Sequence, residues 1–477
     1  MIMSEMLCTK PLPDEELAEI FLRDEPALRA GMDWGGHVRQ GIGDGPVLLI
    51  GDQSEIPLMA PGTASGLEYR MSLLARPGDH VVLRRRDLEY EDYLAQYLGL
   101  KNVTFHQASP HAIAPVTRQL WTSDKWVKTL ARIARDAGGL TINSYLTTGN
   151  TWRLAKAIAD EACVPVHVCG PSPRMARRAN DKLWFADFAR QVIGPGATPP
   201  TCAAYGPAAT AGLVRRLSKA FDQVVIKVPD SAGSAGNLRL RSDSLRQLSM
   251  TQLRTLIVQR LHATGWQDTY PVLVGVWDSN VIGSPSAQLW LPHQSEGPPV
   301  IEGIFEQRLR TEAAAFVGAA RSTLPSDVQH EIAAEALRIA AVLQRLGYFG
   351  RCSLDAVICK DGDAPRTIHW IECNGRWGGV SIPMTVAEQI FAPQPSQAMA
   401  VVQEVLRDRP VRLLDLLDIW DDLLVRKGQS KGGLIIMASP KHPKGGLINL
   451  LSVGQAQKQV DAMLDEAMRR LAEAEPH

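Results

Sequence analysis

Short apolar runs alternate with amphipathic segments through the first third of the chain. Each run is typical of a buried strand, and most of the intervening segments carry apolar residues at helical spacing. This alternation predicts a parallel sheet with crossover helices, an open α/β domain within residues 1–180. No G-x-G-x-x-G follows a strand, so the pattern does not favour a dinucleotide-binding domain. The predicted strands lie in the runs PVLLIGD, HVVLRRR, NVTFHQA, LTINSYL and VPVHVCG.

The pattern changes after about residue 180. Two apolar strands, QVVIKVP and YPVLVGVW, flank a loop of small residues and a long helical segment, which predicts a small α+β lobe over residues 181–275. Residues 276–415 are rich in strands, then helical, and they contain a hairpin-like motif near their end, which predicts a larger lobe. We expect residues 416–477 to form a C-terminal extension that packs on the core.

Composition and charge argue against several classes of protein. Lys plus Arg equals Asp plus Glu at 51 each, so the chain lacks the net charge that nonspecific nucleic-acid or anionic-membrane binding requires. Seven scattered cysteines without a C-x-x-C pair argue against a disulfide framework or a zinc site, and they indicate a reducing cytoplasm. No apolar run approaches the roughly 20 residues that span a bilayer. We therefore expect a cytoplasmic protein with neither nucleic-acid nor membrane partners.

The segment SLDAVICKDGDAPRTIHWIECN predicts a β-hairpin. Its two apolar runs are separated by KDGDAPR, in which Asp-Gly and Pro favour a turn. If the strands pair symmetrically about this loop, paired residue numbers sum to 727, so Asp355 lies opposite Glu372 and Ser353 opposite Asn374. Strand alternation then directs a set of apolar side chains to the core, namely Leu354, Ala356, Ile358, Ile371 and Cys373.

Asp355 and Glu372 need a partner, because like charges on directly opposed strand residues are destabilising. A shared proton, a lysine or an arginine would offset the repulsion. Two carboxylates and the Asn374 amide oxygen also suit Mg²⁺, or Mn²⁺, whose shell phosphate oxygens would complete. Arg376, two residues further on, would then reach the same phosphate. The competing interpretation is a surface hairpin whose charged face is simply solvated.

A lysine and a glycine loop form a second polar feature. Lys227 lies in the aliphatic run VVIKVP, where its ammonium group must either reach solvent or meet an anion. The small residues of the following loop, SAGSAGN, let backbone N–H groups approach a polyphosphate and let the loop act as a lid. A glycine loop alone is usually a turn. A strand lysine, this loop, and a later acid pair with an asparagine together indicate a nucleotide phosphate site.

Together these residues resemble the ATP-grasp superfamily of carboxylate ligases. The resemblance covers about residues 181–379, and the motifs stand in the family's order: NDK at a helix start, VVIKVP with its loop, GRCSLDAVI and IECNGR. The preceding α/β domain is similar to that of the amino-acid and peptide ligases, and ECNGRWGG with SPSAQLWLP resembles the group that includes the pheganomycin-type peptide ligase. The implied fold combines α/β and α+β parts: two α+β lobes that grip ATP, preceded by an open α/β pre-ATP-grasp domain.

The resemblance implies a role for each matching residue. Arg376 and Lys227 would be catalytic, with Arg376 on the γ-phosphate and the acyl phosphate. Asp355, Glu372 and Asn374 would bind the Mg²⁺ ion. The residues that would contact ATP are Lys182, Lys227, Ser231, Gly233, Ser234, Gly236, Asn237, Val274 and Val276, the last two through their backbone.

Substrate recognition is less defined by the motifs. The turn WGGVSIP follows the catalytic strand, so we expect Ser381 or the backbone of Gly378 and Gly379 to touch a substrate carboxylate. Arg308 or Arg310, in IEGIFEQRLR, is the expected carboxylate anchor. The alternative is that all of these residues only form the rim of the cleft.

The implied reaction joins a small-molecule carboxylate and an amine, both amino acids or small peptides, at the expense of ATP. The carboxylate attacks the γ-phosphate to give an acyl phosphate and ADP, and the amine then displaces phosphate to form an amide. The glutamate that family members commonly place after the strand PVLV is absent, so Asp278 is the candidate for the ribose contact. A homodimer is expected from the resemblance. Two other hypotheses are an ATP-binding regulatory protein that ligates nothing and a transferase with a different acceptor.

Overall fold

Three β-sheets organise the protein. The computed structural model describes residues 12–28, 33–58, 66–231, 236–310, 315–391, 398–428 and 432–474. Helices cover the sheets, and hydrophobic clusters fill the space between the layers. Within these ranges, no helix has both the length and the apolar surface that crossing a bilayer would require.

The first sheet has six strands, and every pairing in it is parallel. All five apolar runs form strands, so the predicted parallel sheet is confirmed. The sequence analysis missed β1, because its three residues, VRQ, include two polar ones and give no apolar run. The strands, in the spatial order β1-β6-β5-β2-β3-β4, are β1 (Val38–Gln40), β2 (Val47–Ile50), β3 (His80–Leu83), β4 (Thr104–Gln107), β5 (Leu140–Ser144) and β6 (Val166–Val168).

Helices precede, separate and follow these strands along the chain. They are α1 (Asp14–Asp24), α2 (Leu88–Gln96), α3 (Val116–Trp121), α4 (Asp124–Ala137), α5 (Gly149–Ala162) and α6 (Pro173–Ala179), with 3₁₀ helices at Pro26–Leu28 and Gly66–Leu74. All nine residues of the second 3₁₀ helix are buried. Its apolar side chains belong to the same cluster as residues of the large third sheet. This helix therefore joins the N-terminal domain to the rest of the molecule.

The second sheet has four strands in the order β7-β10-β8-β9. Its central strand β10 pairs antiparallel with both neighbours, and its apolar face packs against two helices. Helix α7 begins at Lys182, where the Asp181 carboxylate caps it by accepting hydrogen bonds from the N–H groups of Leu183 (2.8 Å) and Trp184 (3.2 Å). The elements are α7 (Lys182–Val192), β7 (Thr201–Ala204), α8 (Pro207–Leu217), β8 (Gln223–Lys227), β9 (Asn237–Arg241), α9 (Ser242–Arg246), α10 (Met250–His262) and β10 (Val272–Val276).

The third sheet has ten strands, and all its pairings are antiparallel. Its path is β11-β15-β12-β13-β14-β17-β20-β18, with β16 beside β15 and β19 beside β20. Residues 416–477, set apart above as an extension, contribute β18, β19 and β20. The elements are β11 (Val281–Gly283), β12 (Pro285–Leu291), β13 (Val300–Arg310), β14 (Ala315–Arg321), α11 (Ser326–Arg345), β15 (Gly350–Cys359), β16 (Thr367–Asn374), α12 (Ser381–Phe391), β17 (Ala398–Arg407), α13 (Leu413–Ile419), β18 (Gly433–Ile436), β19 (Lys441–His442), β20 (Gly445–Gly454) and α14 (Gln457–Glu473).

The predicted hairpin is formed by β15 and β16. Asp355 pairs with Glu372 and Ser353 with Asn374, as the symmetric pairing predicts. A β-bulge then shifts the register, so Ala356 pairs with Trp370. The core assignment of Ile371 was therefore wrong: the bulge inserts one extra residue, Trp370 takes the core position at 1% exposure, and Ile371 lines a cavity.

Gly51 sets how closely the Gly66–Leu74 helix approaches the end of β2. A Cβ atom at residue 51 would lie 2.0 Å from the backbone oxygen of Glu68. A backbone atom cannot rotate aside as a flexible side chain can, so any larger residue would push the 3₁₀ helix outward. That helix carries Arg70, whose side chain lines the main cavity. The close approach at Gly51 thus positions part of the cavity wall.

We expect Gly51→Ala to lower the free energy of unfolding by about 1–3 kcal/mol, the usual cost of forcing an extra group into a packed interior. Urea denaturation followed by circular dichroism measures the change. Gly212→Ala is the matched control, since residue 212 is exposed in α8 and has no atom within 4 Å of an added Cβ. The control should be neutral or slightly stabilising. Equal midpoints for Gly51→Ala and the wild type would contradict this account of the packing.

Candidate active site

A cavity of about 730 Å³ lies where the three sheets meet. Lys227 of β8, Glu372 of β16 and Arg70 of the 3₁₀ helix all line it. Its wall therefore combines residues from the N-terminal domain and from both later sheets. Most of the predicted site residues converge here: Lys227, Asn237, Val276, Asp355, Glu372, Asn374, Arg376, Gly378 and Gly379.

The opposed carboxylates lie on the cavity side of the hairpin. Asp355 accepts hydrogen bonds from the Ser286 hydroxyl (2.6 Å) and from the Asn374 amide (2.9 Å). Glu372 accepts a charge-assisted contact from the Lys182 ammonium, with Nζ 3.1 Å from Oε2. A lysine therefore offsets the charge of one carboxylate, as one of the sequence hypotheses allows. Among the described residues, no lysine or arginine forms an ion pair with Asp355, the second carboxylate.

This environment shifts the pKa values of the two carboxyl groups in opposite directions. Burial, followed by the adjacent charge of Glu372, raises the pKa of Asp355. Burial also opposes ionisation of Glu372, but the nearby cations of Lys182, Lys227 and Arg376 outweigh it and lower the pKa of Glu372. Glu372 thus keeps its charge readily, whereas Asp355 needs an additional positive partner to do so.

This arrangement fits a divalent cation. The donor set of Asp355, Glu372 and Asn374 consists of hard oxygen atoms on one side of one hairpin, which is what Mg²⁺ or Mn²⁺ prefers. A metal ion would also supply the positive charge that Asp355 otherwise lacks. The chemistry of the residues present is therefore consistent with the predicted metal site.

Arg376 is held by two amide side chains. One terminal nitrogen of its guanidinium donates to Asn180 Oδ1 and the other to Asn374 Oδ1. Asn180 also binds the backbone of Gly375 through both its oxygen (3.2 Å) and its nitrogen (3.3 Å). The sequence analysis missed Asn180, although it directly precedes the lysine motif and opens the quoted stretch NDK. It positions Arg376 relative to β16, the strand that carries Glu372 and Asn374.

Lys182 and Lys227 form a buried pair of cations beside Glu372. Their exposed fractions are 5% and 9%. Burial is the main cause that lowers the pKa of Lys227 to about 8; Glu372 opposes this shift and Lys182 adds to it. The ammonium group of Lys182 donates a further hydrogen bond to the Ser231 backbone oxygen. Two clustered, desolvated cations favour the binding of an anion.

The predicted glycine loop is described at its two ends. Ser231 is buried, and its hydroxyl donates to the Val228 carbonyl at 2.9 Å, so it supports the loop rather than facing the cavity. A Cβ atom at Gly236 would lie 2.4 Å from Ser231 Oγ, which explains the glycine there. Asn237 lines the cavity, and its buried Oδ1 has no hydrogen-bond partner among the residues that the structure describes. Gly233 and Ser234 lie outside the described residues.

One of the two backbone contacts with ATP that were predicted for β10 needs correction. Val274 is fully buried in the middle of β10, where it pairs with Cys202 on one side and Ile226 on the other, so it offers no group to a ligand. Val276, at the end of the strand, does line the cavity. Asp278 lines it too, and its carboxylate lies 3.0 Å from His369 Nδ1.

Two predicted substrate residues face elsewhere. Arg308 does not line the cavity; its guanidinium pairs with the Asp461 carboxylate of α14 at 2.5 Å. Ser381 is buried at the start of α12, and its hydroxyl accepts the Gly378 N–H at 2.8 Å, so it shapes the turn instead of contacting a ligand.

Residues of the N-terminal domain line the other end of the cavity, and the sequence analysis missed them. They include Gln53, Arg70 and Tyr145. Arg70 lies in GLEYRMSLL, whose apolar character gives no signal of a binding residue. Arg310 also lines this end, where it pairs with Glu404 at 2.7 Å.

Lys227→Met should stabilise the ligand-free protein at pH 7. The folded state holds the lysine pKa near 8, below its ordinary value, so folding must bear the cost of an ionised Lys227 at neutral pH, roughly 1–3 kcal/mol. This cost fades as the pH rises from 8 through the ordinary lysine pKa. Urea unfolding at pH 7 and pH 10 should therefore show an advantage of the variant that shrinks at the higher pH.

The matched control for this experiment is Lys219→Met, because Lys219 is exposed at the surface. Its stability relative to the wild type should not change between the two pH values. A Lys227→Met variant that is less stable than the wild type at pH 7 would mean that Lys227 serves the fold rather than a ligand.

Comparison with known proteins supports a fold assignment. Residues 68–159 match the family model described as the pre-ATP-grasp domain. No curated protein matches the chain. Solved structures of similar fold include biotin carboxylase from Campylobacter jejuni in an ATP-analogue complex, with 12% identity, coverage of 89% of this chain and 91% of that one, and a TM-score of 0.56.

Two further structures span nearly the whole chain. The biotin carboxylase domain dimer of 2-oxoglutarate carboxylase from Hydrogenobacter thermophilus, with MgADP and bicarbonate, is 11% identical, with coverage of 89% and 90% and a TM-score of 0.55. N5-carboxyaminoimidazole synthase from Aspergillus clavatus, with ADP and 5-aminoimidazole ribonucleotide, is 12% identical, with coverage of 92% and 100% and a TM-score of 0.53. These likenesses and the matched N-terminal segment agree with the predicted architecture. The chain has an ATP-grasp fold preceded by a pre-ATP-grasp domain.

Proposed function

We propose that the protein is an ATP-dependent carboxylate–amine ligase that releases ADP and phosphate. The observation that carries this proposal is the convergence, around one cavity, of the Asp355 and Glu372 pair, Lys227 and Arg376, with the buried Lys182 in contact with Glu372. Such a set has excess positive charge on one side and oxygen ligands on the other. It matches what a nucleoside triphosphate with its metal ion requires.

The nucleotide phosphates would lie between the second sheet and the β15–β16 hairpin. Lys227 and Lys182 are already clustered and desolvated there, so they attract phosphate oxygens more strongly than exposed lysines would. Asn237, whose buried oxygen has no partner within the described ranges, lies at the start of the adjacent strand β9. Val276, at the end of β10, would contact the base, and Asp278, two residues further on, would contact the ribose.

Asp355, Glu372 and Asn374 would hold Mg²⁺, with Mn²⁺ as a possible substitute. Bound there, the ion would neutralise charge on the phosphates. Asn374 Oδ1 currently accepts a hydrogen bond from Arg376, so Arg376 is connected directly to the metal-binding set. From this position the guanidinium would face the transferring phosphoryl group.

The reaction has two steps. A carboxylate oxygen of the first substrate forms a bond to the γ-phosphorus, and the bond from that phosphorus to the bridging oxygen of ADP breaks. The nitrogen of an amine then forms a bond to the acyl carbon, phosphate leaves with the former carboxylate oxygen, and the amine loses a proton. Arg376 stabilises the added charge on the phosphoryl group in the first step and on the departing phosphate in the second. Positioning and charge do the catalysis, which explains the lack of a nucleophile motif in the sequence.

We further propose amino acids or small peptides as substrates, on the basis of the sequence resemblance to peptide ligases. A cytoplasmic setting is supported by the cysteines, since six of the seven lie in the described part and are all free thiols. A homodimer is supported by the dimeric biotin carboxylase domain of the same fold. The division into residues 1–180, 181–275, 276–415 and 416–477 is likewise proposed as the domain organisation.

The test is ADP release from Mg-ATP in the presence of pairs of free amino acids, with products identified by mass spectrometry. Glu372→Gln should reduce turnover at least about 100-fold, because the metal site loses a charged ligand, while the fold is kept. Asp363→Asn is the matched control, since Asp363 is exposed in the turn of the same hairpin. ADP release that never depends on a carboxylate would remove the ligase proposal. Tight ATP binding without turnover would favour the regulatory alternative.

Arg376→Lys should lower kcat much more than the affinity for ATP. Lysine keeps the charge but lacks the planar fork that binds two oxygens of one phosphoryl group, and it cannot bridge Asn180 and Asn374 in the same way. We expect kcat to fall about 100-fold, and the Kd of ATP, measured by calorimetry, to change less than about threefold. Equal losses in both quantities would place Arg376 away from the reacting phosphate.

ATP affinity should fall as the pH rises above 8. Below that pH Lys227 is cationic and attracts phosphate, whereas above it the free protein loses this charge. The Kd of Mg-ATP should therefore rise by up to about tenfold per pH unit above pH 8. Lys227→Arg is the control, because arginine stays charged and should abolish the break near pH 8. An unchanged pH profile in that variant would exclude Lys227 as the titrating group.

A further inference from the structure

Arg70 occupies an unusual position for a charged residue. It comes from the N-terminal domain, is only 3% exposed, and lines the end of the cavity to which this domain contributes. One terminal nitrogen donates to Gln403 Oε1 (3.1 Å) and the other contacts the Tyr145 hydroxyl (3.5 Å). Both partners are neutral, and the Tyr145 ring, whose centroid lies 5.5 Å from the guanidinium carbon, offsets the positive charge only in part.

No carboxylate among the described residues forms an ion pair with Arg70, and its buried Nε has no hydrogen-bond partner. Burying a charge without a counter-charge is costly, and such groups are normally paired. An Arg70 without a counter-charge, facing a large cavity, is therefore poised for an anionic ligand. Its planar fork matches a carboxylate.

A second buried donor lines the same end of the cavity. Gln53, 2% exposed and three residues after the end of β2, has a side-chain nitrogen without a hydrogen-bond partner in the described part of the chain. The surrounding wall is apolar, with Ile56, Leu67 and Phe316. Two open donors within an apolar wall select a ligand that has a carboxylate and an apolar body.

Arg70 is set apart from the acid pair by its place on the sheet. It is bonded to Gln403 of β17, whereas Asp355 lies on β15, with β12, β13 and β14 between these strands. Four strand spacings put the backbones of β15 and β17 about 19 Å apart along the sheet, and side chains that reach into the cavity shorten this separation. A single carboxylate group is too small to span what remains, so the group at Arg70 is a different one from the carboxylate phosphorylated beside Asp355.

We propose that Arg70 and Gln53 bind a substrate carboxylate that is not consumed in the reaction. The inference rests on the ligase function proposed above and specifies its substrate class: at least one substrate is an amphiphilic acid that keeps a free carboxylate. Two sources share this chemistry. The group is either the carboxylate of the amine substrate or the second carboxylate of a dicarboxylic acyl donor.

The first experiment measures binding without turnover. Thermal unfolding is recorded in Mg-ADP with each common free L-amino acid, its α-carboxamide, glutarate and glutaramate. The variants are Arg70→Met, Arg70→Lys and Gln53→Leu, with Arg76→Met as control because Arg76 is exposed two residues after the 3₁₀ helix. We expect an acid that stabilises the wild type to lose about 10- to 100-fold in affinity in Arg70→Met, and its amide to bind both proteins equally weakly.

The second experiment uses ADP release and separates the two sources. If the amine substrate supplies the carboxylate, replacing that amino acid by its amide should raise KM about 10- to 100-fold in the wild type and leave Arg70→Met unaffected. If a dicarboxylic donor supplies it, glutarate and glutaramate should differ in this way instead. A merely structural role of Arg70 would weaken acid and amide alike, and would overturn the proposal. Gln53→Leu gives the same contrast should Arg70→Met fail to fold.

The remaining outcomes distinguish this proposal from the proposed function. Carboxylate-dependent ADP release that is indifferent to Arg70→Met and Gln53→Leu overturns the Arg70 site and leaves the ligase standing. Acids that bind through Arg70 without ever supporting ADP release overturn the ligase and leave the site standing. If no acid in the panel binds in an Arg70-dependent way, the site is overturned.

Discussion

The repulsion between two carboxylates on neighbouring antiparallel strands is the constraint on which the site depends. Asp355 and Glu372 face each other because the hairpin register places them there, and the bulge immediately after them keeps that register from extending further. Lys182 compensates one charge from the start of α7, and hydrogen bonds from Ser286 and Asn374 compensate the other only in part. The protein thus holds an acid pair that a cation would stabilise, and this need connects the fold to its proposed chemistry.

The same principle recurs around the cavity. Lys227 is cationic in an apolar strand, and Arg70 has no carboxylate partner among the described residues. Each of these groups costs free energy in the ligand-free protein, and each becomes favourable when an ion of opposite sign arrives. Charged groups that are already in place for a ligand often lower the stability of the ligand-free protein, and function requires them nevertheless. The three sheets and the elements packed on them hold these charged groups in place in the ligand-free protein.

The sequence predicts local features well and long-range ones poorly. The five apolar runs, the hairpin and the pairing of Asp355 with Glu372 follow from alternation and turn chemistry, which act over a few residues. Ile371 was misplaced because a bulge is not visible in an apolar pattern. Arg308 was misplaced because its partner, Asp461, is distant in the sequence and the register shift at residue 308 is not visible in the strand pattern. Arg70 and Asn180 lack local signals, since their roles arise from packing between distant segments, and the N-terminal domain was not expected to line the site.

The central claim is that a carboxylate is activated by transfer of the γ-phosphoryl group of ATP in the cavity beneath Asp355 and Glu372. The most direct measurement supplies an active substrate pair whose reacting carboxylate is labelled with ¹⁸O and analyses the inorganic phosphate by mass spectrometry. The account predicts one ¹⁸O atom in each phosphate released, because the carboxylate oxygen leaves with phosphorus. Phosphate that carries no label, released at the same rate as ADP, would show that water rather than the carboxylate attacks ATP and would contradict the account.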